Sequence, residues 1–147
     1  MALPTGLLKK AAAILSFIAV LSAALTFAQS AAASSNFSVG LRPNVMTADS
    51  QGNLYVGNYG DGTVSKVSTS GVVTTYANLN SLKAKATALV TDSKDVLYLA
   101  TNSGSIYTVA NDGTLNFFAK VGKKPLAMVF DKAGNLYTAN NTDNTIS

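Results

Sequence analysis

Every acid in this chain is an aspartate, and three of the seven fall at matching points of one repeated phrase. The phrases are Asp49-Ser-Gln-Gly-Asn-Leu-Tyr55, Asp92-Ser-Lys-Asp-Val-Leu-Tyr98 and Asp131-Lys-Ala-Gly-Asn-Leu-Tyr137. A carboxylate beside an amide and a glycine has two uses. It can help ligate a hard cation, or it can close a turn by accepting bonds from its own backbone. The segment from Asp49 to Asn53 lacks the dense alternation of oxygen donors and the distal glutamate of a calcium loop, so turn closure is expected. A second set of groups falls in the other connectors: Lys83, Lys85, Lys120, Lys123 and Lys124, with Asn58, Asn102, Asn140 and Asn141. Ammonium groups among amides that both donate and accept suit an anionic or polyhydroxylated ligand. The chain has no His, Glu, Cys or Trp. That leaves no Ser-His-Asp set, no cysteine nucleophile and no imidazole base, and no glycine-rich phosphate loop opening a helix is present either.

The elements that must position these groups are short. Apolar runs rich in Val, Tyr, Phe and Thr occur at 45–48, 54–56, 64–67 and 72–76, then at 88–91, 96–100, 106–109 and 115–118. A third, shorter set lies at 126–130, 136–138 and 145–147. Runs of this length and composition read as strands. Ser70-Gly71 and Asn111-Asp112-Gly113 supply hairpin turns, and Gly52-Asn53 and Gly134-Asn135 do the same one connector earlier, where the second unit has Asp95-Val96. The matching tyrosines lie 43 and 39 residues apart, a period that marks a repeat architecture. Leu97-Tyr98-Leu99 is apolar at consecutive positions, so that strand is expected to be covered on both faces, as in a sheet stacked between two others. The expectation is an all-β chain of four-stranded antiparallel meanders, the blades of a β-propeller, at about 44–78, 87–120 and, incompletely, 126–147. Tyr55, Tyr98 and Tyr137 are expected to pack between blades rather than to form a stacking platform.

Residues 1–30 stand apart. Lys9 and Lys10 precede an uncharged stretch at 11–28, with small residues at Ala28 and Ser30, which reads as a secretory signal helix; the competing reading is a retained anchor. Residues 31–36 read as a polar, disordered lead. Removing the signal leaves nine basic against seven acidic groups, so nucleic-acid binding has little support. The expected location is secreted, periplasmic or cell-surface, with the membrane met only in transit. The strand order puts the aspartate-bearing turns on one side of the blades and the lysine- and asparagine-bearing loops on the other. The lysine side is the candidate binding face, for an acidic cell-wall glycan or a protein partner.

The stretches PLAMVFDKAGNLYTANNTDNTI (125–146) and VMTADSQGNLYVGNYGDGTVSKV (45–67) resemble NHL repeats. The resemblance covers 42–147 and extends to the gluconolactonase-like propellers. It implies a ring of about six blades, of which this sequence carries two and a half. It also implies that an open blade face forgoes burial of about 300 Å², or up to about 8 kcal/mol. Further blades, or further copies of the chain, are therefore expected to cover the open faces, and residues 37–41 are expected as a lone strand completing the last blade. Gluconolactonase-like members hold a divalent metal with Glu, Asn and Asp, and the lyase-like members use His. With neither Glu nor His here, no cofactor is evident, no catalytic residue is assigned, and a divalent cation is implied only for a full-length lactonase. A noncatalytic binding or scaffold module is the reading, and the alternative is the N-terminal part of a lactonase or lyase.

Overall fold

The computed structural model describes residues 35–147, and the signal segment 1–30 and most of the polar lead lie outside the described residues. Residues 36–147 form one compact unit of three antiparallel sheets. Blade 1 is β1 (Pro43–Ala48), β2 (Leu54–Asn58), β3 (Thr63–Val67) and β4 (Val73–Asn78). Blade 2 is β5 (Ala86–Thr91), β6 (Leu97–Thr101), β7 (Ser105–Val109) and β8 (Leu115–Lys120), and blade 3 is β9 (Pro125–Phe130), β10 (Leu136–Asn140) and β11 (Thr145–Ile146). Each sheet runs in chain order, so the expected antiparallel meanders are present. A short 3-10 turn at Asn80–Leu82 links the first two blades. Residues 37–41 pair with no strand among the described residues. They lie against blade 1, with Phe37 beside Gly71 and Gly40 beside Asn58.

The sheets stack with β1 beside β5 and β5 beside β9, so the first strand of each blade is the inner one. Between blades 1 and 2 lies an apolar layer of Tyr55, Val64, Leu79, Leu89, Leu97, Leu99 and Val109. Between blades 2 and 3 the layer is Ala88, Ala100 and Ile106, flanked by Tyr98, Met128 and Leu136. Leu97 and Leu99 on one face and Ala100 on the other are almost fully buried, as a strand covered on both faces requires. Tyr55 meets Tyr76 edge-on at 5.0 Å beneath the Lys66 ammonium, 5.1 Å from its ring. Tyr98 meets Phe118 and Phe130, each at 5.1 Å. These two tyrosines are packing residues, while Tyr137, on the free face of blade 3, is 43% exposed.

The aspartate phrases close the β1–β2 type of turn. Asp49 Oδ1 accepts from the backbone of Gln51 and Asn53 at 3.1 and 2.8 Å. Its Oδ2 accepts from the Asn53 amide at 2.7 Å and the Tyr55 hydroxyl at 3.2 Å. Asp131 repeats all four bonds with Ala133, Asn135 and Tyr137. In blade 2, Asp95 stands at the positive-φ position that Gly52 and Gly134 hold elsewhere, φ +62° against +86°. The backbone turn is kept, and the side chain is redirected: Asp95 accepts from the Ser50 backbone and hydroxyl at 2.7 and 2.6 Å, tying blade 2 to blade 1.

Partial burial raises the Asp49 pKa, but bonds from Asn53, Tyr55 and Gln51 outweigh it and hold the carboxyl below 3.8. In Asp131 the Asn135 amide is the main cause of the same lowering. Groups held below their unfolded value stabilise the fold above that value, and the contribution is lost as pH falls through the folded one. Stability should therefore be level at neutral pH and decline below 3.8. Asp49→Asn should flatten part of that decline and cost about 1 kcal/mol at pH 7, both read from denaturant melts across pH.

Candidate functional site

The start of each blade is built to one plan. Tyr59 N donates to Arg42 O, Asn102 N to Lys85 O and Asn141 N to Lys124 O, at 3.0 to 3.1 Å. Arg42, Lys85 and Lys124 are thus equivalent, and each blade places one cation just before its inner strand. The register then slips: Pro43 faces Asn58 and Val45 faces Gly57, Ala86 faces Thr101 and Ala88 faces Ala100, Pro125 faces Asn140 and Ala127 faces Ala139. Asn44, Thr87 and Leu126 are the unpaired residues of three equivalent β-bulges, a device that re-aims a side chain. All three line one cavity of about 460 Å³, together with Arg42, Pro43, Tyr59 and Lys124. That volume falls in the range of small-ligand sites. The lining carries two cations and no acid.

Arg42 lies 5.6 Å from the Tyr59 ring centre, a cation–π contact that holds the guanidinium plane and leaves N–H edges for an anion. Asn44 donates its amide to Ala86 O at 3.2 Å, fixing it across the blade 1–blade 2 seam. The nearby Asp61 does not neutralise the mouth by pairing with Arg42. Its carboxylate accepts from Leu41 N at 2.7 Å and from the Thr63 hydroxyl and backbone at 2.7 and 3.2 Å. Burial raises its pKa, and these bonds more than reverse the effect, keeping it ionised.

Of the residues singled out in the sequence, Lys124 alone joins this cavity. Lys83 is exposed in a left-handed conformation after the 3-10 turn. The Lys85 ammonium bonds Gly60 O at 3.2 Å, and the Lys120 ammonium bonds Ser103 O at 2.6 Å, so both cap β2–β3-type loops. Asn102 Oδ1 accepts from Lys85 N at 3.0 Å, and Lys123 donates its backbone N–H to Asp143 at 2.5 Å. Asn58 and Asn140 are buried. The Asn58 amide donates to Thr63 and Ser65 hydroxyls at 3.0 and 2.9 Å, and Asn140 does the same with Thr145 and Ser147 at 3.1 and 2.9 Å. These two asparagines are internal clamps of their blades, and neither displays its amide on the surface.

Sequence reasoning missed Arg42, Asn44, Tyr59 and Thr87. The signal was present as a second repeat, Val39-Gly40-Leu41-Arg42-Pro43 against Val121-Gly122-Lys123-Lys124-Pro125. The glycines are required by close approach: a Cβ at Gly40 would fall 2.5 Å from the Asn58 amide, and one at Gly122 would fall 2.7 Å from that of Asn140.

No family model matches the sequence, and no curated protein matches it. Solved structures do. A virginiamycin B lyase from Staphylococcus aureus superposes with a TM-score of 0.58 at 17% identity, over 71% of this chain and 40% of the lyase. A structure assigned to the gluconolactonases gives 0.53 at 18%, over 65% of this chain and 34% of its own. The extracellular domain of a hybrid two-component system from B. thetaiotaomicron gives 0.57 at 18%, over 76% of this chain and 16% of its own. The fold is that of a β-propeller, in part. The chain spans well under half the length of these proteins. Among the described residues no three acidic, His or Cys groups converge, and the turn aspartates Asp49 and Asp131 accept bonds from N–H and O–H donors.

The clamps differ in one respect. Asn140 Oδ1 accepts from the Thr138 hydroxyl at 3.2 Å, whereas Asn58 Oδ1 is buried without a partner because Val56 stands at the Thr138 position. Val56→Thr should supply the donor and stabilise blade 1 by about 0.5–1.5 kcal/mol. Thr138→Val should cost about 1–3 kcal/mol. Denaturant midpoints at unchanged slope check both.

Proposed function

We propose that this propeller is a noncatalytic binding module whose cationic mouth takes an anionic ligand, with an acidic glycan as the best fit. The observation that carries the reading is the convergence of three equivalent bulge residues and two cations on one cavity without an acid. A guanidinium presented edge-out and an ammonium suit carboxylate or phosphate. Asn44 adds an amide and Tyr59 an aromatic face, a lining suited to sugar rings, while the Thr87 hydroxyl is buried and donates to Ala100 O at 3.4 Å. Lys83, Lys123 and Lys124, exposed on the two interblade connections, would draw a polyanion toward the mouth.

The reading includes export through residues 1–30, which puts the module where cell-surface glycans are found. No helix among the described residues is long and apolar enough to cross a membrane, and one structural neighbour is itself an extracellular domain. A second reading draws on the lyase and gluconolactonase neighbours, of which this chain spans 40% and 34%. In it the same mouth is one wall of a larger pocket whose reacting groups lie outside these residues.

Affinity electrophoresis through gels containing polygalacturonate tests the first reading. The protein should be retarded there and not in gels containing dextran. Retardation should weaken as salt shortens the screening length toward about 3 Å near 1 M, and the Arg42→Gln/Lys124→Gln double variant should lose most of it. Equal retardation of the double variant would place the binding elsewhere, and release of product from a lactone substrate upon adding divalent metal would favour the second reading.

A further inference from the structure

The three equivalent cations are not presented alike. Arg42 and Lys124 hold left-handed backbone, φ +52° and +53°, each just before a proline. That conformation is cheap for glycine and uncommon for long side chains. A residue before proline is also turned away from the ordinary helical region, so the two side chains leave the backbone in one enforced direction. Both line the cavity. Lys85, in the middle blade, has no such backbone and no following proline, and its ammonium is tied to Gly60 O instead. The cavity therefore has a cation on its blade 1 side and another on its blade 3 side. Between them stand the bulge residue of the middle blade, Thr87, and the apolar surfaces of Tyr59 and Leu126. This is a floor flanked by two positive points, not a single anion hole.

Building on the reading of the mouth as an anion site, we propose that it engages two anionic groups of one ligand at once, Arg42 taking one and Lys124 the other. The ligand class is an acidic glycan segment with a charge on successive sugars, its ring faces lying over Tyr59 and Leu126. Arg42 takes its carboxylate in two parallel N–H bonds, and Lys124 takes the other as a point charge. Two-point engagement has a thermodynamic signature: the second contact is intramolecular once the first is made, so a divalent ligand gains far more than the statistical factor of about two over a monovalent one.

Calorimetric titration with galacturonate, digalacturonate and trigalacturonate reads this directly. The expected result is an affinity for digalacturonate or trigalacturonate at least about tenfold above that for galacturonate. Either Arg42→Gln or Lys124→Gln should collapse that ratio to about two. Lys85→Gln should leave the ratio unchanged. Arg42→Lys, which keeps the charge and loses the fork, should retain part of it, and circular dichroism of each variant separates loss of binding from loss of fold. Tripolyphosphate, run alongside, separates sources of the same chemistry: binding as tight as that of trigalacturonate would assign the site to phosphate polymers and overturn the glycan assignment. Equal affinity for galacturonate and its oligomers, or an effect of Lys85→Gln as large as that of Lys124→Gln, would overturn the two-point inference while leaving an anion site in place. No heat with any of these ligands would remove the anion site itself.

Discussion

The space between neighbouring sheets is a wedge, and the side chains that fill it set everything else. Near the inner strands there is room only for small groups. A Cβ on Gly57 would fall 2.7 Å from a Val45 methyl and 3.0 Å from the Ala86 Cβ; Ala86 is almost fully buried there, as Ala88 and Ala100 are in the next gap. Farther out the same gap takes Tyr76, Tyr107 and Leu115, with Phe117 edge-on to Tyr107. Small inside and aromatic outside makes adjacent sheets diverge radially, and the burial of apolar surface between them is the main favourable term holding the stack. Polar ties across the inner seam, Asn44 to Ala86 O and Thr91 to Ala48 O at 2.7 Å, fix the register of one blade on the next.

That taper also builds the candidate site. Each inner strand carries a bulge at its first residues. The extra residue of each bulge turns toward the neighbouring inner strands, so three copies of one local irregularity meet in one cavity. In blades 1 and 3 the glycine two residues before the cation lets the incoming chain pass against a buried asparagine. That asparagine fixes the loop opposite, and the loop receives the carbonyl of the cation-bearing residue. The position of Arg42 and Lys124 therefore depends on a chain of contacts that runs from Gly40 and Gly122 through Asn58 and Asn140.

Much of this was legible in the sequence, for a physical reason: turns and strands are local, and their residues announce them. Asp49-x-x-Gly-Asn and Asp131-x-x-Gly-Asn named their turns, and the consecutive apolar residues at Leu97 to Leu99 named a strand covered on both sides. The site was less legible, because it rests on backbone events without a residue signature of their own. A bulge at Asn44, Thr87 or Leu126 changes the direction of a side chain, and the three residue types have nothing in common. Charge counting found the loop lysines, yet Lys85 and Lys120 are spent as caps on carbonyls, and Asn58 and Asn140 are spent as clamps. Arg42 went unnoticed although it is the chain's single arginine, since attention to the Asp-to-Tyr phrase passed over the Val-Gly-x-cation-Pro phrase that precedes two of the blades.

The most direct test of the account is a map of amide chemical-shift changes when a uronic acid oligomer is added to the isotopically labelled chain. The account predicts that the largest changes cluster at Arg42, Asn44, Tyr59, Thr87, Lys124 and Leu126, across three blades at once. Shifts confined to Lys83, Lys120 and Lys123, or spread over the aspartate turns around Lys94 and Lys132, would contradict it and leave the bulge cavity a structural consequence of the wedge alone.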